Sequence, residues 1–181
     1  MKRLLPLLLL VCVAAGDEIP GWNIRAGKWA YDANTEEIWG LDGGSLAYHK
    51  SPISNFEMVF DIYIEDYTND HNMTGISFRG NGQERYKLSF RSFKRVAFDK
   101  TWKTGEKLNM KWLASQPIAI PKMGWIPVKL IVRGGKMKAI IGKTIIIQAE
   151  DPDPLPPGAL ELVTFSSTAR FRNIKIKVRG K

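Results

Sequence analysis

The chain has 181 residues, of which 44% are hydrophobic and 25% are charged, and this is enough for one domain with its own core. Its formal net charge of +9 favours anionic partners. Cys12 is the single cysteine, so the sequence excludes an internal disulfide framework and a site built from several cysteines.

Residues 1–16 are typical of a cleaved export signal. Lys2 and Arg3 precede the apolar run 4–13, and small residues follow at 14–16. The apolar run is too short to span a bilayer, and no later segment reaches that length. Cleavage leaves one mature domain, residues 17–181, without Cys12, which also excludes a thiol enzyme. We expect a secreted or periplasmic protein. Lipid attachment at Cys12 is a weaker alternative, because Val11 fits poorly before such a cysteine.

Apolar residues recur with a period of two through most of the chain, which predicts half-buried β-strands. No window after the leader has helical periodicity, so the predicted class is all-β. Turn signals between the runs, such as Gly80-Asn81-Gly82 and Gly134-Gly135, favour a sandwich or a barrel. The predicted strands cover residues 56–64, 76–79, 86–91, 96–98, 128–132, 137–141, 144–148, 160–164 and 174–178.

Two segments are predicted to be irregular. Residues 151–158 contain four prolines, which cannot donate to a β-ladder. Residues 100–124 form a longer segment with Trp102 and Trp112, and loops of this length in a compact domain are commonly functional or have structure of their own. This segment is either a lid beside a binding face or a loop that Trp112 and Leu113 hold to the core.

Several short motifs together resemble the concanavalin A-like, laminin-G-like superfamily. More narrowly, they are similar to the 3-keto-disaccharide hydrolase domain family and to the carbohydrate-binding modules of fructan-cleaving enzymes. The resemblance implies a two-sheet antiparallel jelly-roll sandwich and a role with carbohydrate. The residues that carry it are Gly21-Trp22, Gly27-Lys28-Trp29, residues 56–61, residues 75–80, Tyr86-Lys87-Leu88, residues 125–128, residues 132–134 and residues 169–174.

The sequence departs from these relatives at positions where they carry polar side chains. Lys87 stands where the hydrolase-like family usually has a glutamate, and Ile126 stands where it has an asparagine. The Glu-x-Asp-x-Glu motif of family 16 glycosidases has only a poor match at residues 61–65. If the protein is an enzyme, the resemblance leaves Glu57 or Asp61 as the general base.

Strand parity predicts a candidate binding face. If Phe56, Phe60, Ile76, Phe78, Leu88 and Phe90 point into the sandwich, their neighbours point outward. Charged groups there can bind sugar hydroxyls, and an aromatic ring can stack on a sugar. The alternative is a solvated face whose charges pair across strands. The candidate sugar-binding residues are Arg79, which is the strongest candidate, Lys87, Arg91, Tyr63 and Trp102.

Metal chemistry has little support in the sequence. His49 and His71 are isolated, so no metal-ligand pattern is predicted and no cofactor is expected. Residues 69–72 form an oxygen-rich turn that is compatible with a structural calcium ion, although calcium needs six to eight oxygens. Lys175, Lys177 and Arg179 predict a basic stripe on the last strand.

Three functions remain open. The first is an exported carbohydrate-binding domain that uses the charged outer face. The second is a glycoside or 3-keto-disaccharide hydrolase of the same fold. The third is charge-based adhesion to an acidic wall polysaccharide, which salt should weaken. No nucleic-acid partner is expected, because no platform of aromatic and basic residues is evident.

Overall fold

The structure is a computed structural model that describes residues 19–67, 73–92, 94–119, 121 and 124–180. The predicted leader and the oxygen-rich turn, with His71, lie outside these residues. Within them, every named secondary-structure element is a strand, which confirms the predicted all-β class. The twelve strands are β1 (Trp22–Asp32), β2 (Glu37–Tyr48), β3 (Asn55–Tyr67), β4 (Met73–Asn81), β5 (Glu84–Arg91), β6 (Arg95–Thr104), β7 (Lys107–Pro117), β8 (Ile126–Arg133), β9 (Lys136–Ile141), β10 (Ile145–Glu150), β11 (Ala159–Phe165) and β12 (Ser167–Arg179).

The strands form the two layers of an antiparallel jelly-roll sandwich, as predicted. The first layer has the order β10-β9-β8-β3-β12, and the second has the order β11-β4-β5-β6-β7. Strand β2 joins the layers, because residues 38–40 pair with β12 while residues 44–47 pair with β11. Strand β1 pairs along β2. At the opposite side β10 packs against β6 and β7, so the two layers enclose one core.

The core is aromatic and continuous between the layers. Phe56 on β3 and Phe78 on β4 meet edge to face, with ring centroids 5.8 Å apart. The six side chains that parity predicted to point inward are all fully buried. Each such side chain contributes about 1.5–3 kcal/mol relative to an exposed one. A core of this kind stabilises the domain without a disulfide.

Glycines allow β1 and β2 to pass from one layer to the other. Gly27 has φ +79°, and a Cβ on it would lie 2.0 Å from the Gly43 carbonyl oxygen. Register shifts in β1 flank the same point, between Ile24 and Ala26 and between Ala26 and Lys28. The corner therefore requires glycine for both backbone conformation and space.

The proline-rich segment 151–158 is irregular, as predicted, and is anchored to the second layer. The Tyr86 hydroxyl donates to Asp151 Oδ2 at 2.5 Å and accepts from the Leu155 amide at 3.0 Å. Lys100 Nζ lies 2.6 Å from the same Asp151 oxygen. Burial and the contact with Asp151 raise the pKa of Tyr86, so the phenol remains a neutral donor.

The prediction that residues 100–124 form an irregular loop is wrong for most of that segment. Strand β6 continues to Thr104, and β7 pairs with it from Lys107 to Pro117. Strand β7 ends the sheet order of its layer, so β6 is its one hydrogen-bonded neighbour among the described strands, and most of its side chains are at least partly exposed. The period-two pattern is consequently weak in this strand, which is why the sequence did not reveal it.

Candidate functional site

Side chains on the outward side of the second layer form a polar row across five strands. Backbone register places Glu161 of β11 beside Ser77 of β4, then Lys87 of β5, Asp99 of β6 and Trp112 of β7. We call the outward surface around this row the polar face. Neighbouring strands are about 4.8 Å apart, so the row extends over about 19 Å.

Asp99 is the centre of a hydrogen-bonded cluster on this face. Its Oδ2 atom accepts from Ser89 Oγ at 2.7 Å and from the Arg91 guanidinium at 2.9 Å. Arg91 Nε also donates to Ser89 Oγ at 3.2 Å. The side chains of Asp99 and Ser89 point to the outward side of the second layer, but both residues are fully buried because longer side chains surround them. This cluster fixes the carboxylate in one orientation.

Three buried polar atoms of the polar face have no hydrogen-bond partner among the residues that the structure describes. They are Ser77 Oγ, Asp99 Oδ1 and Thr101 Oγ1. Buried polar atoms in folded proteins are nearly always bonded to protein or to ordered water. Ser77 and Asp99 flank Lys87, and burial lowers the pKa of this lysine while Asp99 partly opposes the effect. These donors and acceptors lie beneath the surface of the polar face, where a ligand hydroxyl or a water that reaches them would satisfy them.

An exposed aromatic ring borders these groups. Trp112 is 44% exposed to solvent. Arg91 and Arg95 lie over its ring at 5.7 Å and 5.3 Å from the centroid, and Arg95 is held by a 2.6 Å bond to Ser115 Oγ. The arginines fix the indole, which provides a flat apolar surface next to the hydrogen-bonding groups.

The polar face contains two of the predicted site residues, Lys87 and Arg91. Their role in binding stays a prediction. The predicted face is wrong in composition, however, because β3 lies in the other layer, so Glu57, Asp61 and Tyr63 are separated from Lys87 by the core. Parity gave the direction of each side chain relative to its own strand, but not the layer to which the strand belongs.

Glu57 is bound by cations on the outer side of the first layer. Its Oε1 atom accepts from Arg133 at 2.9 Å and from Arg179 at 2.8 Å, and Lys129 lies 3.7 Å from Oε2. The hydrogen bonds from Arg179 and Arg133 lower the pKa of Glu57 to about 2. A general base needs a pKa near the working pH, so this carboxylate is unsuited to the role suggested for it.

Asp61 and Tyr63 belong to a second paired cluster in that layer. Asp61 accepts from Asn173 at 2.8 Å and lies 3.5 Å from Arg172. The ring of Tyr63 packs against Trp125 at 5.6 Å, and Arg170 lies 4.7 Å from its centroid. Asp61 and Tyr63 are therefore both in contact with other side chains of the protein.

Arg79 was predicted to lie open on the outer face, but it is buried. Its guanidinium donates four hydrogen bonds to backbone carbonyls, two to Ser54 and one each to Leu155 and Gly134, at 2.7–3.2 Å. Its own φ is +50°, at the point where β4 leaves register. Arg79 therefore connects three loops, and the family-like turn that suggested it is a structural motif.

Trp102 also differs from its predicted position. It follows Thr101 on β6, so it projects to the side opposite the polar face, and Lys100 Nζ lies 5.9 Å from its ring. The aromatic side chain on the polar face is Trp112, which was predicted to be in a loop. The sequence reasoning also missed Glu161, Arg85 and Thr101, although the alternation of Leu160, Glu161 and Leu162 would have identified the first of them.

Other chemistry has limited support in the described part of the chain. No group of three or more His, Cys, Asp or Glu side chains there is arranged to hold a metal ion. His49 Nδ1 lies 2.6 Å from the Gly21 carbonyl oxygen. Among the same residues, no helix is long and apolar enough to cross a membrane.

Solved structures with a similar fold include a carbohydrate-binding module and enzymes that act on carbohydrate. A carbohydrate-binding module of Bacillus subtilis, CBM66, aligns with a TM-score of 0.71 and 22% identity over 87% of this chain and 95% of that one. A candidate glycosyl hydrolase of Parabacteroides distasonis aligns with a TM-score of 0.62 and 13% identity over 89% of each chain. A fructosyltransferase of A. japonicus matches with a TM-score of 0.62 and 10% identity over 86% of this chain, but over only 27% of its own. At these identities the likeness shows the fold.

Sequence comparison assigns the family. No protein of curated function matches the sequence. The model of the 3-keto-alpha-glucoside-1,2-lyase-like domain family matches residues 14–177, which is nearly the whole chain. The match confirms the family suggested by the short motifs, and the chain belongs to the 3-keto-alpha-glucoside-1,2-lyase-like domain family.

Proposed function

We propose that this protein is an exported carbohydrate-binding domain that holds its sugar on the polar face. The observation that carries the proposal is the row in which Ser77 and Asp99, with Thr101 beside it, have buried polar atoms without a hydrogen-bond partner among the described residues, and which ends at the exposed ring of Trp112, directly opposite Asp99. Sugars present hydroxyl groups at their edges and an apolar face of C–H groups. Hydrogen-bonding groups beside a flat ring match both parts of such a ligand.

The charges of the polar face support binding of a sugar through hydrogen bonds. Each of its two carboxylates already has an arginine, with Asp99 bound by Arg91 and Glu161 lying 3.5 Å from Arg85. Charge-assisted hydrogen bonds to hydroxyls remain available from these fixed groups. We therefore expect affinity for the sugar to change little with salt.

Cleavage of a glycoside is the second candidate function, and it also rests on the polar face. The family takes its name from a lyase, and Asp99 Oδ1 is an unpartnered carboxylate oxygen that could accept a proton. Against this, Arg91 and Ser89 already bind the other oxygen of Asp99, and Asp99 Oδ1 is itself buried. The binding function therefore ranks first.

The test is a panel of neutral and acidic glycans and 3-keto-glycosides, with products analysed in the same samples. Wild type is compared with Trp112→Ala and with a matched variant, Trp102→Ala. The matched variant removes an indole that projects from β6 to the side opposite the polar face. We expect binding without turnover, weakened at least about tenfold, or about 1.4 kcal/mol, by Trp112→Ala alone.

Other outcomes would contradict parts of the proposal. Turnover that Asp99→Asn abolishes would replace the binding function by the catalytic one. Equal losses in the two tryptophan variants would place the sugar elsewhere, and so would a loss confined to Trp102→Ala. Absence of binding across the panel would leave the polar face without the proposed role.

A further inference from the structure

A second surface, on the outer side of the first layer, has an excess of positive charge. The surface covers strands β12, β3, β8 and β9, from the row of paired residues that begins at Lys175 of β12 to the row that begins at Arg179. Within these rows the four strands present one carboxylate, that of Glu57. We call this surface the basic face. Its seven cations are Lys175, Lys177, Arg179, Lys129, Arg133, Lys136 and Lys138. Lys136 lies 4.0 Å from Glu150 of the neighbouring strand β10.

Backbone register brings these cations together. Lys177 is opposite Glu57, which is opposite Ile131, which is opposite Lys138. Strand spacing of about 4.8 Å and a rise of about 3.3 Å per residue place all seven within an area of about 13 by 14 Å. Neighbouring cations on this face lie within about one screening length, 8–10 Å at moderate salt, so they act together on a ligand.

Glu57 neutralises only part of this charge. Its carboxylate contacts Arg133, Arg179 and Lys129. Among the described residues, no ion pair links Lys175, Lys177 or Lys138 to a carboxylate. Lys175 and Lys177 are exposed. The remaining positive charge is therefore available to an anionic partner.

The other end of the same layer has balanced charge, which makes the excess on the basic face a local feature. Arg170 pairs with Glu37 and Glu65, and Arg172 pairs with Glu37 and Asp61. Lysines on edge strands protect against aggregation, but this explanation does not cover Lys129, Arg133 and Lys138, because β8 and β9 are internal strands.

We propose that the basic face binds an anionic polysaccharide, separately from the sugar on the polar face. A linear polymer with repeated acidic groups can follow cations that are spread over several strands. An anionic membrane is a poorer partner, because the apolar residues of this face, Val59, Ile131 and Ile140, are shorter than the lysines beside them. Within the described part of the chain, this face also has no Trp, Tyr or Phe side chain of the kind that anchors proteins at a bilayer interface.

The probe is polygalacturonate, with dextran as the neutral polymer and vesicles of phosphatidylglycerol and phosphatidylcholine as the membrane arm. The variant is Lys175→Glu with Lys177→Glu. The control, Lys28→Glu with Lys50→Glu, makes the same change in net charge at two exposed lysines elsewhere. The glutamine pair Lys175→Gln with Lys177→Gln covers the case in which charge reversal disturbs folding.

We expect polygalacturonate to bind at 50 mM NaCl and to be released by 500 mM NaCl, while dextran does not bind. The variant on the basic face should lose at least tenfold in affinity, and the control less than twofold. An equal loss in both would show an effect of net charge alone and overturn the proposal. Absence of polygalacturonate binding would also overturn it, as would tighter binding to the anionic vesicles.

Discussion

Lys87 shows how a residue proposed to bind the ligand can reduce the stability of its own domain. Burial lowers the pKa of its ammonium group below the usual value of 10.5, and the nearby Asp99 offsets only part of this effect. A lowered lysine pKa means that the folded state disfavours the charged form. At neutral pH the protonated lysine therefore costs folding free energy, which a bound sugar hydroxyl would offset.

We predict that Lys87→Met leaves the free energy of unfolding at pH 7 unchanged or higher, while affinity for the sugar falls at least about tenfold. The folded pKa of Lys87 is depressed, so the cost of its charge is full below that pKa. The cost disappears as pH rises through the folded pKa to 10.5. The stability difference between variant and wild type should thus shrink in alkaline solution. Urea unfolding at pH 7 and pH 10 measures it, with Lys177→Met as the exposed control.

Arg79 provides the opposite case, a buried residue whose hydrogen bonds hold loops together. Lysine keeps the charge but cannot reproduce four bonds to the carbonyls of Ser54, Leu155 and Gly134. Hydrogen bonds to charged groups contribute about 1.5–3 kcal/mol each, so losing two of them costs about 3 kcal/mol or more. We expect Arg79→Lys to lower the free energy of unfolding by that amount in urea and to leave the affinity of the folded fraction unchanged. Lost affinity at full stability would support the role predicted from the sequence.

At the scale of elements, the corner of β1 and β2 depends on Gly27. Its φ of +79° is unfavourable for other residues, and a Cβ would meet the Gly43 carbonyl oxygen at 2.0 Å. Gly105 has a similar φ of +58° with nothing within 4 Å of a Cβ, so it has the conformational requirement alone. Gly105→Ala should cost about 1–2 kcal/mol. We expect Gly27→Ala to cost at least about twice as much, as measured by thermal unfolding of the two variants, and equal costs would show that the corner can move.

The elements also show what the sequence could predict. Alternation identified the inward side of β3, β4 and β5, because a period of two follows from strand geometry alone. It missed the pairing of β7 with β6, since an edge strand with exposed side chains has no regular pattern. It also missed the separation of Glu57 from Lys87, because strand order depends on contacts distant in sequence. The two residues follow the same parity and lie on opposite sides of the sandwich.

At the scale of the whole molecule, the sandwich separates two kinds of chemistry. The polar face belongs to β11, β4, β5, β6 and β7, whereas the basic face belongs to β12, β3, β8 and β9. Packed sheets are about 10 Å apart, and outward side chains add to this distance, so the faces are separated by more than the screening length of about 8 Å. A neutral sugar on one face adds no charge that the other could sense. If each face binds as proposed, the domain can hold a sugar and an anionic polymer together.

We therefore predict that the two ligands bind independently. A saturating amount of the sugar identified in the glycan panel should change the affinity for polygalacturonate less than twofold, and linkage requires the reverse effect to be equally small. Trp112→Ala should weaken only the sugar, while Lys175→Glu with Lys177→Glu should weaken only the polymer. Raising NaCl to 500 mM should release the polymer and leave the sugar bound, because exposed charges are screened and fixed hydrogen bonds persist. Titration calorimetry with each ligand in the presence of the other measures this. Displacement of polygalacturonate by the sugar would mean that one surface serves both ligands, with the acidic polymer then lying across Lys87, Arg91 and Trp112.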